Sequence, residues 1–493
     1  MIKQENIDRI ISDVSIRDVA IDEGITFSKE RGGKLWACCP FHKENTPSFF
    51  VDTGTNTWKC YGGCHSGGNV ISLYRKLKND LPFPIACKEL AKKYLNEDIE
   101  DDYKPSKEDE EKQKEKESLQ IILSYAQEFY VQCIHEVNPA ANKARETVRK
   151  RWGADAIERF GIGYAPRDGF IEWAMRKGLD FDLLEQVGLI GIGERGKYAM
   201  LRDRYTIPIY DKMSNVIGFT ARTMSDDKDI CKYLNLKNSL VYAKDKSVFG
   251  INFAQKEARL KNKFYLVEGA PDVVKLQSLE ILNTVASLGG AWTENQLKQL
   301  YHISHTVTFI PDADTLKPGN EWPAGTANVF ANGREALAAG FTVNVREIPI
   351  DYPAPKKEDP DSWIVDKAHF QQMKEEEFIY WFCRRRYWPT ADDIEQMTTE
   401  DRLKAIADIC SLLMMIRDED LRTSYLTGLC TMYKHSREWK DTLKRAKESE
   451  LSAKQEKERK GDIKMLREFG FTEHDNSYWG TNKEGDEIQW SNF

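Results

Sequence analysis

Two hydrophobic rhythms run along this chain, and the points where one replaces the other divide it into segments. Near the start, Ser48 to Val51 and Thr57 to Lys59 are short aromatic and β-branched runs around a polar turn, which predicts paired strands. From Tyr205 to Met224 two further apolar runs flank a polar turn and predict a second strand pair. Next come "KFYLVEGAPDVV" (Lys263–Val274), "HTVTFIPDAD" (His305–Asp314) and "FTVNVREIP" (Phe341–Pro349), three apolar strands followed by acids. Helical patterns at Pro271–Glu280 and Glu294–Tyr301 alternate with them, so βαβ units and a parallel sheet are expected. From Glu375 to about Glu448 the rhythm is helical, with Leu403, Ile406, Cys410 and Leu413 on one apolar face. Nothing there points to chemistry, and core packing accounts for it.

One stretch has no rhythm. Asp101 to Ser118, "DDYKPSKEDEEKQKEKES", holds eight acids and five bases with almost nothing apolar. Such a segment adds nothing to a core. It reads as a charged linker, the alternative being an exposed helix laced with ion pairs, and either marks a domain boundary. The end of the chain resumes with a charged run, Leu451–Lys460, and a hairpin pattern in "YWGTNKEGDEIQWSNF".

Length then sets the scale. The 493 residues, 41% of them hydrophobic, can bury several cores, and at roughly 100–200 residues per domain they predict about three or four domains. No basic, apolar leader and no run of about 18 apolar residues occurs, so neither a signal peptide nor a membrane span is expected and a cytoplasmic location is. The net charge of −7 disfavours nucleic acid only on average. Arg31–Asp80 carries +4 and Arg195–Asn262 carries +7, two basic islands in an acidic protein.

Four of the ten cysteines fall between Cys38 and Cys64. Two residues separate Cys39 from His42 and three separate Cys60 from Cys64, with the predicted hairpin between the pairs. Two such pairs at strand-end turns can close a tetrahedral shell, so Cys39, His42, Cys60 and Cys64 are the candidate ligands of one structural Zn²⁺. Cys38 and His65 are spare candidates.

The second candidate site is acidic. Glu268, Asp312 and Asp314, and then Asp359 and Asp361, all follow predicted strand ends, and ligands of parallel sheets bind beyond the carboxyl ends of strands. Oxygen-rich clusters of this kind suit Mg²⁺ or Mn²⁺. Two such ions can steady a phosphoryl transfer. Asp272, which opens a predicted helix, reads as an N-cap.

These residues carry a resemblance. "CPFHKENTPSFFV" and "WKCYGGCHSGGNVISLY" are similar to the CHC2 zinc-binding module of bacterial DnaG-type primases, with one residue more than usual between the last two cysteines. "KYLNLKNSLVYAKDKSVFGIN" (Lys232–Asn252) resembles the N-terminal half of the primase catalytic core. That likeness implies a groove for template, primer and nucleotide lined by Arg222, Lys232, Tyr233, Asn235 and Lys244. The acidic set, with "TVASLGGAWTENQLKQL" (Thr284–Leu300), resembles the Toprim domain of primases, topoisomerases and some nucleases. Here "TLKPGNEWP" (Thr315–Pro323) is inserted before Ala324 and Gly325.

The resemblance implies a multi-domain α+β protein: a zinc-ribbon-like domain at 1–100, the linker at 101–118, and the N-terminal core subdomain with its basic groove at 119–262. A Toprim subdomain at 263–374, a helical subdomain at 375–448 and a tail of unknown role at 449–493 would follow. It implies a DNA primase, a nucleotidyltransferase that makes RNA primers for DNA replication. Glu268, Asp312 and Asp314 would be catalytic and Asp359 and Asp361 supporting ligands. Expected partners are a single-stranded DNA template, ribonucleoside triphosphates and a separate replicative helicase, with no membrane. No G-x-x-x-x-G-K-[ST] loop occurs, so no helicase motor is expected within the chain. A Toprim nuclease and a non-catalytic zinc-containing DNA-binding protein are the alternatives.

Overall fold

The computed structural model describes residues 2–31, 34–42, 44, 46–54, 56–60, 62, 67–78, 81–99, 107–194, 196–225, 227, 229–301, 303–390, 392–468, 472–474, 477–481 and 487–490. They fall into two compact units, 1–115 and 116–493.

The first unit is an antiparallel meander of β1 (Lys29–Arg31), β2 (Lys34–Ala37), β3 (Phe49–Asp52), β4 (Thr57–Cys60) and β5 (Gly67–Asn69), paired in chain order. Along β4 the alternation is clean: Trp58 and Cys60 are buried, Thr57 and Lys59 exposed, the period-two pattern of a strand covered on one face. Helices Gln4–Asp13, Ile16–Asp22 and Val70–Leu77 pack with this sheet in one hydrophobic cluster. Asn56 fastens the β3–β4 turn to them. Its backbone lies at φ 53°, a region asparagine tolerates. Its side chain donates to the Ile11 and Val14 carbonyls at 2.7 and 2.8 Å and accepts from Ile16 N at 2.9 Å.

The second unit begins on a long helix, Lys107–His135, whose first turns lie in the preceding unit. The charged stretch is therefore helical from Lys107 onward. Two sheets follow, together with a small hairpin of β7 (Ile190–Gly193) and β8 (Gly196–Ala199). The antiparallel sheet has the order β11-β10-β9-β6, built from β6 (Gly163–Ala165), β9 (Arg204–Tyr210), β10 (Val216–Thr223) and β11 (Tyr233–Asn235). The other has the order β13-β12-β14-β15-β16, from β12 (Phe264–Val267), β13 (Thr284–Ala286), β14 (Thr306–Phe309), β15 (Thr342–Arg346) and β16 (Glu375–Glu377). Its first four strands are parallel, as expected of strands alternating with helices, and β16 pairs antiparallel at the edge. The two sheets share a core: Tyr205 and Phe219 of the first belong to one buried cluster with Val267 and Ile310 at the strand ends of the second.

The helical pattern expected from Glu375 starts three residues late. Glu375–Glu377 forms β16 because its backbone completes the edge beside β15, while the side chains find cations there. Lys263 reaches Glu375 at 2.6 Å and Arg384 reaches Glu376 at 2.6 Å. Helices Phe378–Arg386, Thr399–Met415, Glu419–Tyr433 and Ser436–Glu468 then form an all-helical region. Ile406, Cys410 and Leu413 are buried there, on the face read from the sequence. Three short antiparallel strands, Thr472–His474, Ser477–Thr481 and Glu487–Trp490, lie within the tail.

Candidate functional sites

In the first unit the meander brings Cys39, His42 and Cys60 together, with one ligand atom of each within 4.8 Å of the others. Antiparallel pairing of Phe49 with Cys60 sets Cys60 opposite the loop that carries Cys39 and His42. The donor set of two thiols and an imidazole fits Zn²⁺. The fourth expected ligand, Cys64, and the spare His65 lie outside the described residues, and Cys38 is exposed. Glu44 braces the loop. It accepts from Cys39 N at 2.7 Å, Ser48 N at 3.1 Å and Ser48 Oγ at 2.5 Å, and lies 3.0 Å from His42 Nε2. Burial would raise its carboxyl, but these hydrogen bonds overcome that and lower it to about 2.

In the second unit register gathers the acids. Leu266 of β12 pairs in parallel with Phe309 of β14, so Glu268 and Asp312 emerge side by side just past the strand ends. An antiparallel bridge between Ala313 and Glu358 then folds the 357–361 segment against the same edge, with N···O distances of 2.8 and 3.0 Å. Asp359 caps the short helix Pro360–Trp363 and accepts from Ser362 N at 2.8 Å. Acids spread from 268 to 361 in sequence become neighbours by this topology.

Gly325 fixes the loop around Asp314. Its N–H donates to Asp314 Oδ2 at 2.9 Å, and a Cβ there would lie 2.3 Å from the Asp312 carbonyl oxygen. No side chain fits. The Thr315–Pro323 insertion loops outward before this contact, with residues 316–321 exposed and Trp322 set edge-on against Phe330 at 5.3 Å.

A cavity of about 300 Å³ lies over these strand ends, and Glu268, Asp272, Asp312 and Asp359 face it together with Lys232, Tyr233, Asn235 and Arg151. Three of the residues expected in the basic groove thus share one wall system with the acids. Arg222 belongs to an adjoining cavity of about 520 Å³, which Lys232 also lines. Its guanidinium lies 5.8 Å from the Tyr233 ring and donates to Tyr205 Oη at 3.2 Å, while its Nε is buried with no hydrogen-bond partner. Lys244 lines neither cavity; it packs beside Gly289, which does line the first, where a Cβ would come within 3.0 Å of the lysine Cε.

One residue of the site, Arg151, escaped the sequence reading, and another, Asp272, is expected from the sequence only as an N-cap, whereas Gly269 is the N-cap and Asp272 stands at N3. Asp272 is 6% exposed. Besides accepting from Gly269 N at 3.1 Å, it accepts from Asp361 N at 3.1 Å. Arg151 donates from Nε to Asp361 Oδ2 at 2.6 Å and from its terminal nitrogen to Tyr205 Oη at 3.0 Å and Tyr233 Oη at 3.3 Å.

Electrostatics set the cluster's character. Burial raises Asp272 well above the ordinary carboxyl range, and Asp312, Asp359 and Asp361 add repulsion. Burial and neighbouring Glu268 push Asp312 up to about 7, against the hydrogen bond from Lys357. Glu268 is likewise raised by burial, against a 3.5 Å hydrogen bond from Asn328. Clustered carboxyls that resist ionisation call for cations. Asp312 Oδ1, buried and with no hydrogen-bond partner, is an open acceptor among them. An all-oxygen donor set of this kind fits Mg²⁺ or Mn²⁺.

Comparisons with known proteins find similarity to primases. The CHC2 zinc finger family matches residues 2–107, and the family described as DNA primase catalytic core, N-terminal domain, matches residues 130–255. A DNA primase of Pseudomonas putida is 33% identical over 377 residues, which are 74% of this chain and 53% of that protein. A DNA primase of Clostridium acetobutylicum is 29% identical over 387 residues, 78% of this chain and 61% of its own length. The chain thus spans about half to three-fifths of the curated relatives it matches. Among solved structures, the zinc-binding and RNA polymerase domains of the Aquifex aeolicus primase align at a TM-score of 0.51 with 26% identity, covering 87% of this chain and 97% of that one. A DnaG primase catalytic domain bound to single-stranded DNA aligns at 0.53 with 25% identity, covering 65% and 96%.

Proposed function

The chain belongs to the bacterial DnaG-type primase family, and from that premise we propose that it builds short RNA primers on single-stranded DNA from ribonucleoside triphosphates. The observation that carries this reading is the single cavity shared by Glu268, Asp312 and Asp359 with Lys232, Tyr233 and Asn235. One side can hold divalent cations and the other can meet phosphates and bases. A nuclease needs the acids, but not the zinc module or the adjoining wall.

Glu268, Asp312 and Asp314, supported by Asp359, would hold Mg²⁺ or Mn²⁺, which when bound neutralises charge on the reacting phosphates; Asp361, expected from the sequence as a further ligand, has both oxygens taken by Arg151 and Trp152 and anchors the turn instead. The protein's own residues supply position. Lys232 and Arg222 face the backbone phosphates of template and primer. Arg151 and Arg222 hold the hydroxyls and rings of Tyr205 and Tyr233, which form a rigid aromatic wall beside the acids. Asp272 receives the Asp361 N–H and keeps the 359–361 turn in register with the strand ends. Preorganised charge and orientation, rather than a covalent intermediate, carry most of such a reaction. Cys39, His42, Cys60 and Cys64 would hold one Zn²⁺ that shapes a template-binding module. A separate helicase would deliver the single-stranded template. Incubation with single-stranded DNA, four ribonucleotides and Mg²⁺ tests the reading: labelled short RNA supports it, and cut DNA without RNA favours a nuclease.

A further inference from the structure

Lys357 stands where a divalent cation would be expected. Its ammonium lies 2.7 Å from Asp312 Oδ2 and 2.7 Å from Asp314 Oδ1. Of the remaining oxygens on these two acids, Asp314 Oδ2 is taken by Gly325 N, and Asp312 Oδ1 is buried without a partner. One side of the acidic pair is closed by a cation of the protein's own, and Asp312 also lines the cavity that Glu268 and Asp272 share.

We infer that Lys357 is a built-in counter-cation that balances the Asp312–Asp314 pair and must leave it before a divalent ion can bind there. This inference rests on the reading of the acids as metal ligands. Its backbone is anchored next to the Ala313–Glu358 bridge, so the lysine stays within reach of the pair. The side chain is nevertheless 54% exposed and ends a flexible four-carbon stem that can swing into solvent. Neighbouring Lys356 does not share the task. It pairs with Glu358 at 3.2 Å and is 82% exposed.

Like charges a few ångströms apart in a partly buried site repel strongly. An ion can therefore approach Glu268 from the shared cavity with Lys357 in place, whereas one that takes up the oxygens held by Lys357 has to displace the ammonium. Binding becomes stepwise. The lysine keeps the two carboxylates ordered and raises the ion concentration at which the site fills.

The test measures binding of Mn²⁺ alone to the full zinc-loaded chain, by loss of the free-ion electron paramagnetic resonance signal. Lys357→Ala, and Lys357→Met with its stem retained, should tighten the weaker binding step on the order of tenfold, the scale of a typical coupling between sites. Lys356→Ala should leave the isotherm unchanged. Asp312→Asn should reduce binding and so identifies the acidic cluster as its origin. An unchanged or weakened second step in both Lys357 variants, with Asp312→Asn still lowering binding, overturns the role of the lysine and leaves the metal reading standing. An isotherm indifferent to Asp312→Asn overturns the metal reading, and this inference with it.

Discussion

Arg151 Nε donates to Asp361 Oδ2 at 2.6 Å, a contact between residues 210 positions apart. Trp152 Nε1 closes the other oxygen at 2.6 Å, so both acceptors of this buried carboxylate are used by adjacent residues of one helix, Pro139–Trp152. Asp361 in turn presents its N–H to Asp272. The pair therefore ties the helix to the acidic turn and holds Asp272 beside the strand ends.

Breaking this tie should cost stability as well as turnover. Arg151→Ala leaves Asp361 buried without a cation, and removal of one partner of a buried pair costs about 3–5 kcal/mol. Denaturant unfolding of the full chain measures the loss. The double variant Arg151→Ala, Asp361→Asn should lose clearly less than the sum of the single changes, because no uncompensated charge remains. Additive losses would show that the two residues act independently.

Zinc gives the second prediction. Purified protein should hold one Zn²⁺, and Cys60→Ser should lose it and open the β1–β5 meander to proteolysis, since structural zinc contributes directly to folding. Residues 116–493 have their own core and should stay protected. Elemental analysis beside limited digestion reads both, and undiminished zinc in Cys60→Ser would remove that cysteine from the shell and bring Cys38 or His65 forward.

How much of this was legible in the sequence follows from how local each signal is. The acids at strand ends were legible because apolar runs and helical patterns alternate around them, and the topology then does the gathering. Cys39, His42 and Cys60 could be read from spacing alone. Arg151 could not: its partners Tyr205, Tyr233 and Asp361 lie 54, 82 and 210 residues away, and no local pattern marks a basic residue that will be drawn to them. Asp272 reads from the sequence as an N-cap, whereas Gly269 takes that position and Asp272, at N3, accepts from the Gly269 N–H; its second hydrogen bond, from Asp361 N, depends on a tertiary contact. Three consecutive glutamates concealed β16, because their strand character comes from Asn344–Arg346 alongside and from Lys263 and Arg384.

The basic wall gives a third prediction. Arg222→Ala should weaken single-stranded DNA binding and lower the salt dependence by about one released counterion, and Lys244→Ala should do the same. Fluorescence anisotropy over a salt series measures the slope. An unaltered slope in both variants would take these residues out of the groove.

The fourth concerns pH. Asp312 has its proton affinity raised by burial and by Glu268, to about 7 from an ordinary value of 3.8. A carboxyl that holds its proton more tightly in the folded state imposes no penalty below its unfolded value and a growing one as pH rises through the folded value. Added Mg²⁺ relieves that penalty and competes with the proton. The rise in melting temperature on adding Mg²⁺ should therefore be larger at about pH 8 than at about pH 5.5, as differential scanning fluorimetry can record. Equal shifts at the two pH values would contradict a cation among these acids.

The central claim is that one cavity joins nucleotides on a template, and a primer-synthesis assay with a matched acid variant addresses it most directly. Single-stranded DNA, four ribonucleotides with one labelled, and Mg²⁺ or Mn²⁺ are incubated with the wild-type chain and with Asp312→Asn, and the products are resolved on one gel beside end-labelled DNA. The account predicts short RNA from the wild-type chain without any added primer, intact DNA in both lanes, and a loss of RNA of at least about 100-fold in Asp312→Asn with zinc content unchanged. Equal RNA synthesis by the variant, or cleaved DNA with no RNA from the wild-type chain, would contradict it.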